Sequence, residues 1–225
     1  MSFGVILDSS LDPMEETRFK KKHSDLILKL SKKLHFTYTE VESILLIYYK
    51  LQKESHDKLG ITKAQFRDVL HAGFDMTEDT LMDRIFTALE KGIFNPHPAT
   101  VTMETWAAAL SLFLRGTFEE KIQHCFHVYD LLGDGMIGRD SMFQLLRTSL
   151  ISSGSDDDAE EAVKDMIEIL TKKMDIDRDG KISFNDYRQT VVKEPMLLEC
   201  LGKCLPARIS VYTFVTTFTP NTGKV

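Results

Sequence analysis

One spacing of apolar positions recurs four times along the chain. An apolar residue is followed five places later by a bulky side chain, then by small or apolar residues three and four places further on. The copies are Ile61, Phe66, Val69, Leu70; Val101, Trp106, Ala109, Leu110; Ile137, Met142, Leu145, Leu146; and Ile182, Tyr187, Thr190, Val191. A bulky anchor with apolar residues at i+3 and i+4 is one face of an amphipathic helix. The apolar residue five places earlier falls in the loop before that helix. Upstream of the last three copies lies a second helical pattern: Ile85, Phe86 and Leu89; Cys125, Phe126 and Tyr129; Leu170 and Met174. The repeating unit is helix, loop, helix. The fold class is all-α, with the four units in two paired lobes over residues 14–116 and 117–194. Residues 195–225 follow as a C-terminal helix and extended tail.

Polar residues punctuate this pattern. Thr37 with Glu40, and Thr39 with Glu42, have capping-box spacing ahead of the apolar run 44–49. Thr77 precedes Glu78 and Asp79, acids that complement a helix dipole in its first turn. The stretch 152–161 is the one evident linker, with Ser155 as the expected cap of the following helix and the acids on its solvated face. The tail 209–218 is β-branched and aromatic. It reads as a strand, or as an extended segment laid in a groove.

Composition narrows the function. The chain has 225 residues, with 28 Lys+Arg against 34 Asp+Glu and a net charge of −6. The length allows a sizeable core in one domain or two small ones. The acidic balance argues against nucleic acid as a partner. The longest apolar or aromatic run, Ile44 to Tyr49, is far too short to span a bilayer. The second residue is Ser2, not the glycine that myristoylation needs, and no secretion signal is expected. Three cysteines, Cys125, Cys200 and Cys204, suit free thiols in a reducing cytoplasm rather than a disulfide framework.

The fourth loop carries the chemistry. It runs from Asp175 through Asp177, Asp179, Gly180, Lys181, Ile182 and Ser183 to Asp186. This is the EF-hand pattern. Calcium takes six to eight oxygens. Asp175, Asp177 and Asp179 supply carboxylates from positions 1, 3 and 5, and Gly180 allows the sharp turn. Lys181 contributes its backbone carbonyl and Ser183 its hydroxyl or a bridging water. Asp186 closes the shell at position 12. It is one methylene shorter than the usual Glu, so weaker calcium affinity, or more tolerance for magnesium and its compact octahedron, is expected. Ile182 packs inward and pairs with a partner loop.

The other loops have lost this chemistry. The third, Asp130 to Ser141, keeps Asp130, Asp134, Gly135 and Ile137. It has Leu132, Gly138 and Ser141 where ligands are wanted, so metal is not expected there, although Ile137 can still pair with Ile182. The second loop, between Glu90 and Val101, is too long, lacks Asp and is stiffened by Pro96 and Pro98. The first, about Glu54 to Gln65, has Leu59 where Gly is wanted. His124 and His127 flank Cys125, but that spacing buries Cys125, and no HExxH or CxxC accompanies it. Zinc is not expected, and no nucleophile elbow or phosphate loop marks an enzyme.

Several runs of residues also have a family likeness: Phe66 to Leu70, Met82 to Phe86, Leu110-Ser-Leu-Phe-Leu-Arg-Gly116, Glu119 to Lys121, Cys125-Phe126, Leu197 to Glu199 and Cys204 to Pro206. With the fourth loop and its terminal Asp, they resemble the calaxin family, the EF-hand sensors of ciliary outer dynein arms. The resemblance spans about residues 24 to 206. It implies a fold like calmodulin or the neuronal calcium sensors, in the cytoplasm and the ciliary or flagellar axoneme. It also implies calcium-responsive binding to outer-arm dynein heavy chain and microtubule-docking components, and adjustment of beating. The family is expected to keep ligands in its second, third and fourth loops. This chain departs in the second and third, and so looks like a divergent paralogue, one suited to sperm motility.

Between Thr17 and Lys33 stand seven basic residues and one acid. This is either a contact for an acidic surface such as tubulin or a docking protein, or a solvated helix face. Three roles follow for the whole chain. A sensor would open a groove lined by Met142, Leu146, Met166 and Met174 when metal binds. A metal-independent axonemal scaffold would keep that groove set. A third role is a regulatory subunit resembling neuronal calcium sensors or the calcineurin regulatory chain.

Overall fold

The computed structural model describes residue 7 and residues 9–54, 60–90, 100–150 and 156–220. Among the described residues, ten helices and four two-residue strands alternate in the order the repeats require. They are α1 (Pro13–Lys33), α2 (Tyr38–Glu54), β1 (Ile61–Thr62), α3 (Lys63–Phe74), α4 (Asp79–Glu90), β2 (Thr100–Val101), α5 (Met103–Arg115), α6 (Phe118–Tyr129), β3 (Met136–Ile137), α7 (Arg139–Leu150), α8 (Asp156–Met174), β4 (Ile182–Ser183), α9 (Phe184–Lys193) and α10 (Arg208–Val215). A 3-10 turn, Pro195–Leu197, follows α9. Every position of the four-copy repeat is buried, from Ile61 to Val191. The expected helix–loop–helix unit therefore holds in all four copies.

The loop residues that precede each second helix pair up as antiparallel strands. Ile61 faces Val101 and Thr62 faces Thr100. Met136 faces Ser183 and Ile137 faces Ile182, the partnership the sequence predicts. Each pair of loops shares one short ladder, which fixes their spacing.

The chain forms two compact units, each with its own core. The first unit comprises residues up to Thr77, Leu89–Thr117 and Pro206 onward. Trp106 lies at its centre with no exposed surface, and its indole N–H donates to the Ile44 carbonyl at 3.0 Å. Truncating such a side chain to Ala costs about 3–5 kcal/mol. The Tyr48 hydroxyl donates to the Val101 carbonyl at 2.7 Å. Gly60 sits where a Cβ would lie 3.0 Å from both groups, so a larger residue there would press on this hydrogen bond. Helix α1 starts on Asp12, whose carboxylate accepts from the amides of Met14 and Glu15. It buries Phe19, Ile27 and Leu30, with the Phe19 ring 4.9 Å from that of Tyr49.

The start of α2 selects one of the two capping boxes. The Thr37 amide and hydroxyl donate to Glu40 Oε2 at 2.9 and 3.0 Å. Thr39 lies inside the first turn of α2, and Glu42 instead meets Lys20 at 3.4 Å. Arg115, at the end of α5, grips the same Glu40 with two bonds of 2.9 and 2.7 Å and donates to the His35 carbonyl. Burial alone would raise the Glu40 pKa, but Arg115 and Thr37 hold it at about 2.

The tail corrects the sequence reading. Residues 208–215 are helical, not a strand or an extended segment. Val211, Phe214, Val215 and Phe218 fall at i, i+3, i+4 and i+7 and are buried in the first unit. Phe214 stacks on Phe74 with ring centroids 4.7 Å apart, and Phe218 meets Phe36 edge-on at 5.9 Å. Packing of that stripe overrides β-branched propensity.

The second unit comprises Glu78–Ala88 and Phe118–Leu205. This grouping differs from the division expected at 116/117 and 194/195. Most of α4 belongs with the second unit, and α10 with the first. The local cause for α4 is Arg84, which donates to the carbonyls of Val128 and Asp130 at 3.3 and 2.6 Å and so caps the end of α6. Phe126, Tyr129 and Tyr187 form an aromatic cluster in this core. Met142 and Met174 are core side chains, whereas Met166 is 40% exposed. The predicted features at 55–59, at Pro96 and Pro98, and at Ser152–Ser155 lie outside the described residues.

Candidate metal centre

Helix α8 delivers the fourth loop. The Asp175 amide closes its last turn by donating to the Thr171 carbonyl at 2.9 Å. The Asp175 carboxylate then organises the turn, its two oxygens accepting from the amides of Asp179 (3.1 Å) and Gly180 (2.9 Å). Asp179 in turn accepts from the Lys181 amide at 2.8 Å. Arg178 and Gly180 have φ of +63° and +87°, the left-handed conformation at loop positions 4 and 6. The folded loop brings one carboxylate oxygen each from Asp175, Asp177 and Asp179 within 4.8 Å of one another. Loss of water, with the like charges of Asp179 and Asp186, raises the Asp177 carboxyl above its ordinary pKa. Concentrated negative charge of this kind is what a cation relieves.

Ser183 and Asp186 are placed differently. The Ser183 hydroxyl and amide both donate to Asp186 Oδ2, at 2.6 and 3.1 Å, and the Asp186 amide donates back to Ser183 Oγ at 3.2 Å. Together they form the capping box of α9. The site thus has three converged carboxylates and two further oxygen residues engaged with each other. All of its donors are hard oxygens, with Lys181 at the position that offers its main-chain carbonyl. This set suits calcium and lacks the nitrogen or sulfur that zinc prefers.

The third loop has the same backbone scaffold without the same chemistry. Asp130 accepts from the amides of Gly133 and Gly135, loop positions 4 and 6, at 2.8 and 3.0 Å, where Asp175 accepts from positions 5 and 6. Gly133 and Gly135 take φ of +71° and +82° at the same positions 4 and 6. Leu132 is 79% exposed where the fourth loop has Asp177. Among the described residues, the three Asp of the fourth loop are the one cluster of this kind.

These loops, paired across a short ladder between amphipathic helices, define an EF-hand protein, a class of calcium-binding regulatory proteins. An EF-hand domain pair model matches residues 119–191. The chain is 43% identical to calaxin of Danio rerio over 183 residues, 80% of this chain and 85% of that protein. It is 41% identical to calaxin of Homo sapiens over 189 residues, 83% of this chain and 87% of that one. Guanylyl cyclase-activating protein 1 of Lithobates pipiens is 33% identical over 107 residues, 48% of this chain and 51% of the relative. The chain belongs to the calaxin family. No helix among the described residues is long and apolar enough to cross a membrane.

Proposed function

We propose that this protein is a calcium-responsive component of the ciliary or flagellar outer dynein arm that modulates motility. A single ion binds the fourth loop through Asp175, Asp177, Asp179, the Lys181 carbonyl, Ser183 and Asp186. The observation that carries the reading is the convergence of the three Asp carboxylates in a loop whose ladder partner is the third loop. Binding pulls Asp186 toward the ion and away from Ser183. That shift moves α9 and is transmitted through the Ile137–Ile182 pair to α7. Magnesium occupies the same loop less strongly.

Membership of the calaxin family supports partners of the axonemal class: dynein heavy chain, docking-complex proteins and tubulin. Helix α1 has a face suited to an acidic one of these. Arg18, Lys21, Lys22, Lys29, Lys32 and Lys33 are exposed on the side away from buried Phe19, Ile27 and Leu30.

Calorimetric titration of the intact chain with calcium tests the reading. One site is expected, and Asp175→Ala removes it. No heat at millimolar calcium leaves the metal-independent scaffold as the function. For the docking face, Lys29, Lys32 and Lys33 changed together to Glu should weaken cosedimentation with microtubules; unchanged cosedimentation would rule that face out.

A further inference from the structure

Two of the three thiols meet inside the second unit. Cys125 Sγ, on α6, and Cys204 Sγ, on the segment after α9, lie 3.1 Å apart, and neither residue is exposed. Three contacts hold Cys204 in this position. Glu199 Oε1 accepts from the amides of Cys204 and Leu205, each at 2.9 Å. The ring of His124, beside Cys125, donates to the Cys204 backbone. The Tyr129 hydroxyl sits 3.5 Å from Cys204 Sγ and donates to the Gly202 carbonyl at 2.6 Å. The two sulfurs are therefore held facing each other by their surroundings. A disulfide needs them about 1 Å closer.

We infer that Cys125 and Cys204 are a reversible disulfide site, closed by a small hydroperoxide and reopened by a thiol reductant. One thiolate attacks a peroxide oxygen, the O–O bond breaks, and water leaves after protonation, giving a sulfenic acid. The second thiol attacks that sulfur, forming S–S and expelling a second water. Two thiols lose two protons and two electrons, and one hydrogen peroxide takes them up to become two waters. Burial, with Cys204 as neighbour, raises the Cys125 pKa, so the reaction waits on local opening of the segment.

Closure matters because the 198–205 segment reaches both flanks of the fourth loop. The Tyr187 hydroxyl, one residue past Asp186, donates to the Leu198 carbonyl. Cys200 Sγ lies 3.9 Å from the sulfur of Met174, the residue before Asp175. A bond from Cys204 to Cys125 clamps this segment to α6. Cys200 itself is not in the pair.

The test treats the full chain with hydrogen peroxide, alkylates remaining thiols and maps peptides by mass spectrometry. The expected product lacks two hydrogens, links the Cys125 and Cys204 peptides and carries the alkyl label on Cys200. Cys200→Ser should form the same link, and Cys204→Ala none, with circular dichroism confirming that both variants are folded. Amide exchange in α6 and 198–205 should slow at least severalfold on oxidation and recover with dithiothreitol. A link through Cys200, sulfinate at Cys125 or Cys204 without a link, or exchange unchanged by linkage would overturn the proposal. None of these readouts depends on calcium.

Discussion

Ile137 and Ile182 face each other across the short ladder of the second unit, joining a loop with three converged carboxylates to one whose third position is Leu132. The two loops share left-handed residues at positions 4 and 6 and a first-position Asp that accepts from the position-6 amide. Side chains alone separate a candidate site from a structural partner. Leu132→Asp with Ser141→Glu should therefore add a second calcium site to the one expected in the fourth loop. Calorimetry that still finds a single site would place the defect in the backbone.

Asp186→Glu tests the short position-12 side chain. A longer carboxylate reaches the ion with both oxygens, so calcium binding should tighten on the order of tenfold, or ~1.4 kcal/mol. Magnesium should not gain. Competition between the two ions in a fluorescent chelator assay separates these outcomes.

Arg115 and Glu40 form a buried ion pair in the first unit, with side chains 7% and 5% exposed. Removing one partner strands the other in a dry site. Arg115→Ala should cost about 3–5 kcal/mol in urea unfolding. Arg115→Met with Glu40→Gln should cost less than the sum of the single changes, because neither charge is left alone. Additive losses would show that the pair is not coupled.

Acid should destabilise the second unit through His124. Burial, its largest influence, lowers its pKa from 6.5 to about 4. The unfolded chain then binds the extra proton first. This contribution is complete above about 6.5 and is lost as pH falls toward 4, about 3 kcal/mol in all. Glu40, also held down, contributes above 4.5 and is lost only as pH falls through about 2. Urea midpoints between pH 7 and 4 should fall in the wild type and flatten in His124→Phe.

Much of this was legible in the sequence because period is a strong signal. The bulky residue of each repeat, Phe66, Trp106, Met142 or Tyr187, lies in a core because i+3 and i+4 spacing admits one face. The fourth loop was legible because cation ligation fixes residue type at fixed intervals. The tail was misread because Val211, Thr213 and Val215 look like a strand one at a time, while their spacing with Phe214 and Phe218 is helical. Thr39 with Glu42 has capping spacing too, but helix α2 begins at Tyr38, two residues too early for it. Glu40–Arg115 and Cys125–Cys204 join residues 75 and 79 places apart, which no local pattern reports.

The seating of Phe214 on Phe74 has a consequence for biosynthesis. The first unit gathers nearly all its helices from residues before Phe118, yet its core is completed by α10, which follows Phe118–Leu205 of the second unit in the chain. On the ribosome, Phe36, Phe74 and Phe113 must wait for α10 while Phe118–Leu205, the larger part of the second unit, emerges between them. The nascent chain therefore presents an open aromatic surface throughout that interval, and a message cut short after residue 205 would leave it open for good.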